Sequence, residues 1–365
     1  MWGKPFPFEA KRKRFPPHPL PKGKAYVGGA MKPEDHTKIT RTALKEYLDN
    51  FPTPPFQKFL EKYGSFIIKG TKAEDIPWRN WDRAFHWHFH KPKESCHPDY
   101  FRWFWKKVKF TLYSHVVVDR HVVDLRNCLS DLAASHRQAS REKCAPKSLA
   151  KNICRHLGGL LHHIQDMSTP AHVLPIFHGF PAPGRFRATG DQFENFSEEN
   201  IEKYFGGCFA PNDLSAAAAS VTDDTSFRSL YESAAEDTMH FLRTFTFTAT
   251  VDGKPRYNAS CSLFWQEYDF AADPAKHDET AGFGQYGPFA EFFGQQNWVK
   301  APPGQPADGV VKSLVDEGVT CPINGQKWNL KFQDYAPIYK ESLRQMVCNT
   351  VRALRLADNL FEQSQ

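Results

Sequence analysis

The stretch HLGGLLHHIQDMSTPAH, residues 156–172, gathers the side chains most able to do chemistry. His162 and Asp166 are four residues apart. On a helix that spacing puts an imidazole and a carboxylate on one face, one turn above the other, where both can bind the same metal ion. His172 follows the break that Pro170 imposes, where the chain can turn back toward that face. Imidazole and carboxylate are zinc donors. The chemistry they imply is metal-assisted hydrolysis, in which the ion lowers the pKa of a water toward about 7 and neutralises phosphoryl oxygens. On spacing alone, a core helix with His162 hydrogen-bonded to Asp166 fits equally well.

The same stretch resembles the bacterial, α-toxin-like, zinc-dependent phospholipase C family and, more distantly, the P1/S1 nucleases. That family carries Leu-Gly-x3-His-x3-Asp-x3-Pro-x-His, matched by Leu157, Gly158, His162, Asp166, Pro170 and His172. Upstream, His36 stands at the start of a first helix as the family's histidine does, and Asp75 precedes His88 of HFHKP by 13 positions. Downstream, the family's His-x3-Glu-Asn-Phe reads Gly190-Asp191-Gln192-Phe193-Glu194-Asn195-Phe196, so Glu194 is kept and the histidine is not.

The resemblance implies a ligand set. His88, His162, Asp166 and Asp75 hold a first zinc, and Asp166 bridges to a second that His36 also binds. The third takes His172 and Glu194, with Asp191 or His178 in place of the missing histidine. Asp75 is also the expected base. The family completes its second zinc with an N-terminal Trp, whereas Trp2 here stands 34 residues before His36. Where the family's choline pocket has a Tyr and a Phe, this chain has Ile76 and Phe85; Phe85 remains the substrate-contact candidate, and a phosphatidylcholine preference is not implied.

The implied activity is that of a phospholipase C: hydrolysis of the glycerol–phosphate ester of phospholipids at a membrane surface, with up to three Zn2+. The implied protein is a monomer, secreted or periplasmic. A P1/S1-type single-strand nuclease with a nucleic-acid partner is the first alternative. A zinc-stabilised, non-catalytic binding protein is the second, and Gly190 at a ligand position favours it.

Other reactive residues read as ordinary. His86 and His90 flank His88 and suit a surface or a supporting role. His163 lies about 100° around the helix from His162, which argues against ligation. His115 and His121, six apart, fall on different faces of their helix, and His156 reads as packing. The eight cysteines are scattered with no Cys-x-x-Cys pair, which makes them poor zinc ligands. Disulfides in an oxidising compartment and free buried thiols fit them equally. No Gly-rich phosphate loop and no Gly-x-Ser-x-Gly elbow occurs, so P-loop and serine-esterase chemistry have no support.

The elements that must position these groups are helices. PEDHTKITRTALKEYLDNF opens on Pro33 with Ile39, Ala43, Leu44 and Tyr47 at helical spacing, placing His36 in the first turn. Residues 71–98, rich in His, Trp and Pro, read as an ordered loop with short helical pieces, and 101–140 and 146–167 as long helices. In the second of these, Gly158 and Gly159 permit close helix approach. Segments 196–206 and 225–245 read as helical, 246–330 as mixed with one β-hairpin at 246–257, and 335–361 as an amphipathic closing helix. The expected fold class is all-α: a phospholipase C/P1 nuclease-like helical bundle around a zinc cluster, with a few short strands in the C-terminal half.

The 365 residues, 41% hydrophobic and 24% charged, have globular composition. Residues 1–24, with Lys11-Arg12-Lys13-Arg14 and a proline-rich run, read as a basic flexible tail, and 25–365 as one helical domain. No apolar stretch follows the basic residues, so a secretory signal peptide is not expected within the chain. A net charge of +6 permits anionic lipid or nucleic acid as a partner without requiring either.

Overall fold

The computed structural model describes residues 33–74, 86–90, 100–103, 106–109, 111–113, 115–138, 147–174, 207–267, 285–291 and 318–364. Helix α1 spans Pro33–Asn50 and α2 Pro54–Glu74. In α1 the buried positions His36, Ile39, Thr40, Ala43, Leu44 and Tyr47 form one stripe at three- and four-residue spacing, so His36 is the polar head of a core-facing face. In α2 the stripe Phe56, Phe59, Leu60, Tyr63, Ile67, Gly70, Thr71 ends in Glu74.

Four short strands follow: β1 (His86–Phe89), β2 (Tyr100–Trp103), β3 (Lys106–Lys109) and β4 (Thr111–Tyr113). β1 pairs with β4 in parallel and β2 with β3 antiparallel. The helix expected over 101–140 therefore begins only at α3 (His115–Gln138). YFRWFWKKVKFTLY concentrates aromatics, Val and Thr, which suit a pleated surface, and the expectation ran a helical period through them. Of the loop expected at 71–98, residues 71–74 complete α2 and 86–89 form β1.

Helix α4 (Lys147–Asp166) starts amphipathic and ends buried on every side, from Leu157 to Asp166. Helices α2 and α3 pack against it, as do α1 and the closing helix α9 (Phe332–Gln363). Pro170, lacking an N–H, opens the short α5 (Pro170–Val173) after the Met167–Thr169 turn. Helix α6 covers Pro211–Ala219 and α7 Phe227–Thr244, the latter capped by Ser226 Oγ accepting from Ser229 N at 3.0 Å.

A four-stranded antiparallel sheet, in the order β6-β5-β10-β9, packs beside α7 and α9. Its strands are β5 (Thr246–Val251), β6 (Lys254–Ser260), β9 (Val319–Ile323) and β10 (Gln326–Leu330). Both hairpins turn on Asx-Gly pairs with positive φ, Asp252-Gly253 (49°, 77°) and Asn324-Gly325 (50°, 77°). That is the backbone which matches strand twist in two-residue turns. The first hairpin was expected; the second carries an equally plain Asn-Gly signal. Between the two hairpins lie β7 (Trp265–Gln266), β8 (Gln285–Tyr286) and α8 (Pro288–Glu291). The closing helix, α9 (Phe332–Gln363), is longer than expected. The molecule is thus mostly helical with a few antiparallel strands in its C-terminal half, as the sequence implied. Among the described residues no helix is long and apolar enough to cross a membrane. The tail at 1–24 and the helix expected at 196–206 lie outside the described residues.

Candidate metal centre

Asp166 is the last residue of α4 and is buried in the core. Imidazole nitrogens approach both of its oxygens. His36 Nε2 lies 3.3 Å and His172 Nδ1 3.6 Å from Oδ1; His162 Nε2 lies 3.3 Å and His163 Nδ1 3.9 Å from Oδ2. The His36 and His162 rings sit side by side, their centroids 4.1 Å apart. Three helices converge to make this arrangement. His162 comes from one turn earlier on α4, His36 from the first turn of α1, and His172 from α5 after the Pro170 break.

The amide of Gln165 fixes the orientation of His36. Its Nε2 donates to Thr40 Oγ1 at 2.9 Å and to Thr350 Oγ1 at 3.1 Å, so its oxygen faces His36 Nδ1 at 2.8 Å as acceptor. The proton of the neutral ring is then on Nδ1, and Nε2 turns its lone pair toward Asp166. A lone pair aimed at a carboxylate oxygen is repelled unless a proton or a metal ion stands between them.

The distances fit that cation. A charge-assisted N–H···O bond measures about 2.7–2.9 Å. Two donors about 2.0–2.1 Å from a tetrahedral zinc are about 3.3 Å apart, which is the separation seen for both His36 and His162. The C-terminal end of a helix carries partial negative charge, so the end of α4 also favours a cation. His36, His162 and Asp166 form a buried group able to hold a metal ion, and His172 stands next to it.

The remaining expected ligands divide. His88 belongs to β1, and the residue ending that segment, His90, donates its backbone N–H to His172 O at 2.9 Å, which brings the strand to α5. The His90 ring packs 4.9 Å from Tyr231. Asp75, Phe85, His178, Asp191 and Glu194 lie outside the described residues.

Two histidines set aside in the sequence, His121 and His163, gather behind Asp166 with Glu74, which the sequence reading did not consider. Glu74 from α2, His121 from α3 and His163 from α4 bring ligand atoms within 4.8 Å of one another. The 100° offset of His163 from His162 argues against ligation only if one face of α4 meets partners. Because α4 is buried all round at this end, its second face has partners too. His121 and Glu74 sit on other helices, so no single-helix spacing could reveal the group. His156, expected to be mere packing, lies with its Nδ1 3.2 Å from His121 Nδ1. Burial and the neighbouring His121 push its imidazole pKa below the ordinary value.

Among the described residues Cys128, Cys154, Cys261 and Cys348 are free thiols. Burial pushes the Cys154, Cys208 and Cys261 thiols up to about 12, so they are unreactive near neutrality.

No protein-family model and no curated protein sequence matches the chain. Among solved structures, the alpha-toxin of Clostridium perfringens from the avian strain SWCP aligns with a TM-score of 0.33 and 15% identity. That alignment covers 59% of this chain and 55% of the toxin chain, so it spans about half the length of that neighbour. A likeness at that score is too low to carry fold or function.

Proposed function

We propose that this chain is a zinc-dependent phosphodiesterase of the phospholipase C type, cleaving the glycerol–phosphate ester of a phospholipid. The observation that supports it most is the buried Asp166 carboxylate with imidazoles on both of its oxygens, the donor set of a bridged metal centre. His162 and Asp166 would hold one ion, and Asp166 and His36 a second. His172 would hold an adjoining one. Bound zinc would supply an activated water and neutralise phosphoryl charge.

The chain's own groups do the rest. Gln165 keeps the proton of His36 on Nδ1, away from the centre, and the Thr40 and Thr350 hydroxyls keep Gln165 from rotating. Leu160, Leu161 and Ile164, fully buried on the same helix, keep its surroundings of low polarity, which strengthens charge interactions there. Action at a phospholipid surface, in a secreted or periplasmic setting and as a monomer, belongs to this proposal.

The test is zinc analysis of the purified chain, with headgroup release from phospholipid vesicles and cleavage of single-stranded DNA measured in parallel. Zinc-dependent headgroup release, abolished by chelation and by His162→Ala, is the expected result. DNA cleavage without lipid turnover would move the chain to the nucleases, and bound zinc without either activity would make it a binding protein.

A further inference from the structure

The group behind Asp166 has the construction of a metal site in its own right. Its parts come from three helices, and two adjacent glycines let them meet. A Cβ at Gly158 would lie 2.4 Å from Ile67 O and 2.6 Å from Thr71 N, so the bare backbone there lets α2 approach closely enough to deliver Glu74. A Cβ at Gly159 would lie 2.6 Å from His121 Nε2, so the His121 ring occupies the notch that this glycine leaves, one turn below His163. His121 Nε2 and His163 Nε2 stand 3.5 Å and 3.6 Å from the same oxygen, Glu74 Oε2. Those separations are within a few tenths of an ångström of the roughly 3.3 Å between donors on a tetrahedral zinc. They exceed a charge-assisted hydrogen bond. All three residues are buried.

The outer contact of His121 matches that of a metal-bound histidine, whose second nitrogen engages a supporting group. His121 Nδ1 faces His156 Nδ1 at 3.2 Å, which leaves its Nε2 for the interior. His163 Nδ1 lies 3.9 Å from Asp166 Oδ2, beyond a hydrogen bond, and its Nε2 lies 3.6 Å from Glu74 Oε2.

We propose that Glu74, His121 and His163 form a further metal site, distinct from the Asp166 centre. It takes a first-row divalent ion, zinc by its donor set, with one position left for water. The ion joins α2 and α3 to α4 directly behind Asp166, and the His163 ring links the two centres. An ion pair between Glu74 and protonated imidazoles is the competing arrangement, and it takes up no metal.

The test uses the full chain, stripped of metal and titrated with Zn2+ and, for its visible absorption, Co2+. His36→Gln/His162→Gln/His172→Gln removes the Asp166 centre together with its adjoining ion and should keep one equivalent of zinc. Adding His121→Gln should abolish that equivalent, its Co2+ bands and the rise in melting temperature on adding zinc. Equal stoichiometry with and without His121→Gln, in variants folded by circular dichroism, would overturn the proposal. Should the multiple variants not fold, His121→Gln alone must bind one equivalent less than the unsubstituted chain, and equal binding overturns the proposal there too. None of these readouts is catalytic, so a failure to turn over lipid would leave this result standing and would count only against the phospholipase reading.

Discussion

At the scale of single residues, Asp166 concentrates the argument, because a buried carboxylate is tolerated only with compensating charge or donors. Asp166→Asn keeps the volume, removes the negative charge and turns one of the two acceptor oxygens into a donor facing imidazole. Zinc bound by native but not unfolded protein adds directly to stability. The expectation is that the variant loses zinc by metal analysis and that a chelator no longer lowers its melting temperature. Unchanged zinc content would remove Asp166 from the centre. His162, Asp166 and His172 were readable because a helical spacing and a proline break lie within 17 residues of sequence. Glu74, His121 and His163 were not, because they are neighbours only after three helices pack. Each alone looks like an ordinary helix residue.

At the scale of elements, the spacing between α2 and α4 decides whether Glu74 can reach His163. Gly158→Ala would put a methyl group against three backbone atoms, Ile67 O, Thr71 N and Gly70 C, none of which can rotate away. Alanine should gain about 1 kcal/mol of helix propensity, but overpacking costs about 1–3 kcal/mol or more. A net loss of about 1–2 kcal/mol is expected. Gly64, also in α2, has nothing within 4 Å of a Cβ, so Gly64→Ala should instead stabilise by up to about 1 kcal/mol. Urea denaturation of the two variants tests the opposite signs, and equal effects would mean that the helices do not meet at Gly158. The sequence showed that Gly158 and Gly159 allow close approach, but not which helices approach. It also hid the strands of 100–113, where short aromatic-rich runs suit either period, and it passed over α2 entirely.

At the scale of the whole molecule, the closing helix α9 makes two buried polar ties, one to α1 and the turn before α2 and one to the candidate metal centre. Near its C-terminus, Asp358 accepts from Tyr47 Oη at 2.7 Å, Thr53 N at 2.9 Å and Thr53 Oγ1 at 2.5 Å, closing α9 onto α1 and the turn before α2. Burial and the Asp358 carboxylate push the Tyr47 phenol well above its ordinary pKa, so it remains a donor. Near its middle, Thr350 Oγ1 accepts from Gln165 Nε2 and donates to Met346 O at 2.7 Å. The amphipathic stripe of α9 was plain in the sequence. These buried polar ties were not, since a Thr or Asp within an apolar stripe reads as the edge of a face. The two ties predict a separation of effects along one helix. Thr350→Val is nearly isosteric, but it removes the acceptor that keeps Gln165, and through it the tautomer of His36, in place. Removing outer partners of this kind weakens metal binding about 10–100-fold, and because Thr40 still holds Gln165, a loss of about tenfold in zinc affinity is expected. Asp358→Asn, farther along the same helix, should lower the unfolding free energy by about 1–3 kcal/mol through its lost charge-assisted bonds, with zinc affinity unchanged. Competitive zinc titration and urea denaturation of both variants separate the two ties. A Thr350→Val protein with undiminished affinity would mean that His36 is held without Gln165, and the tautomer argument for the metal centre would fall with it.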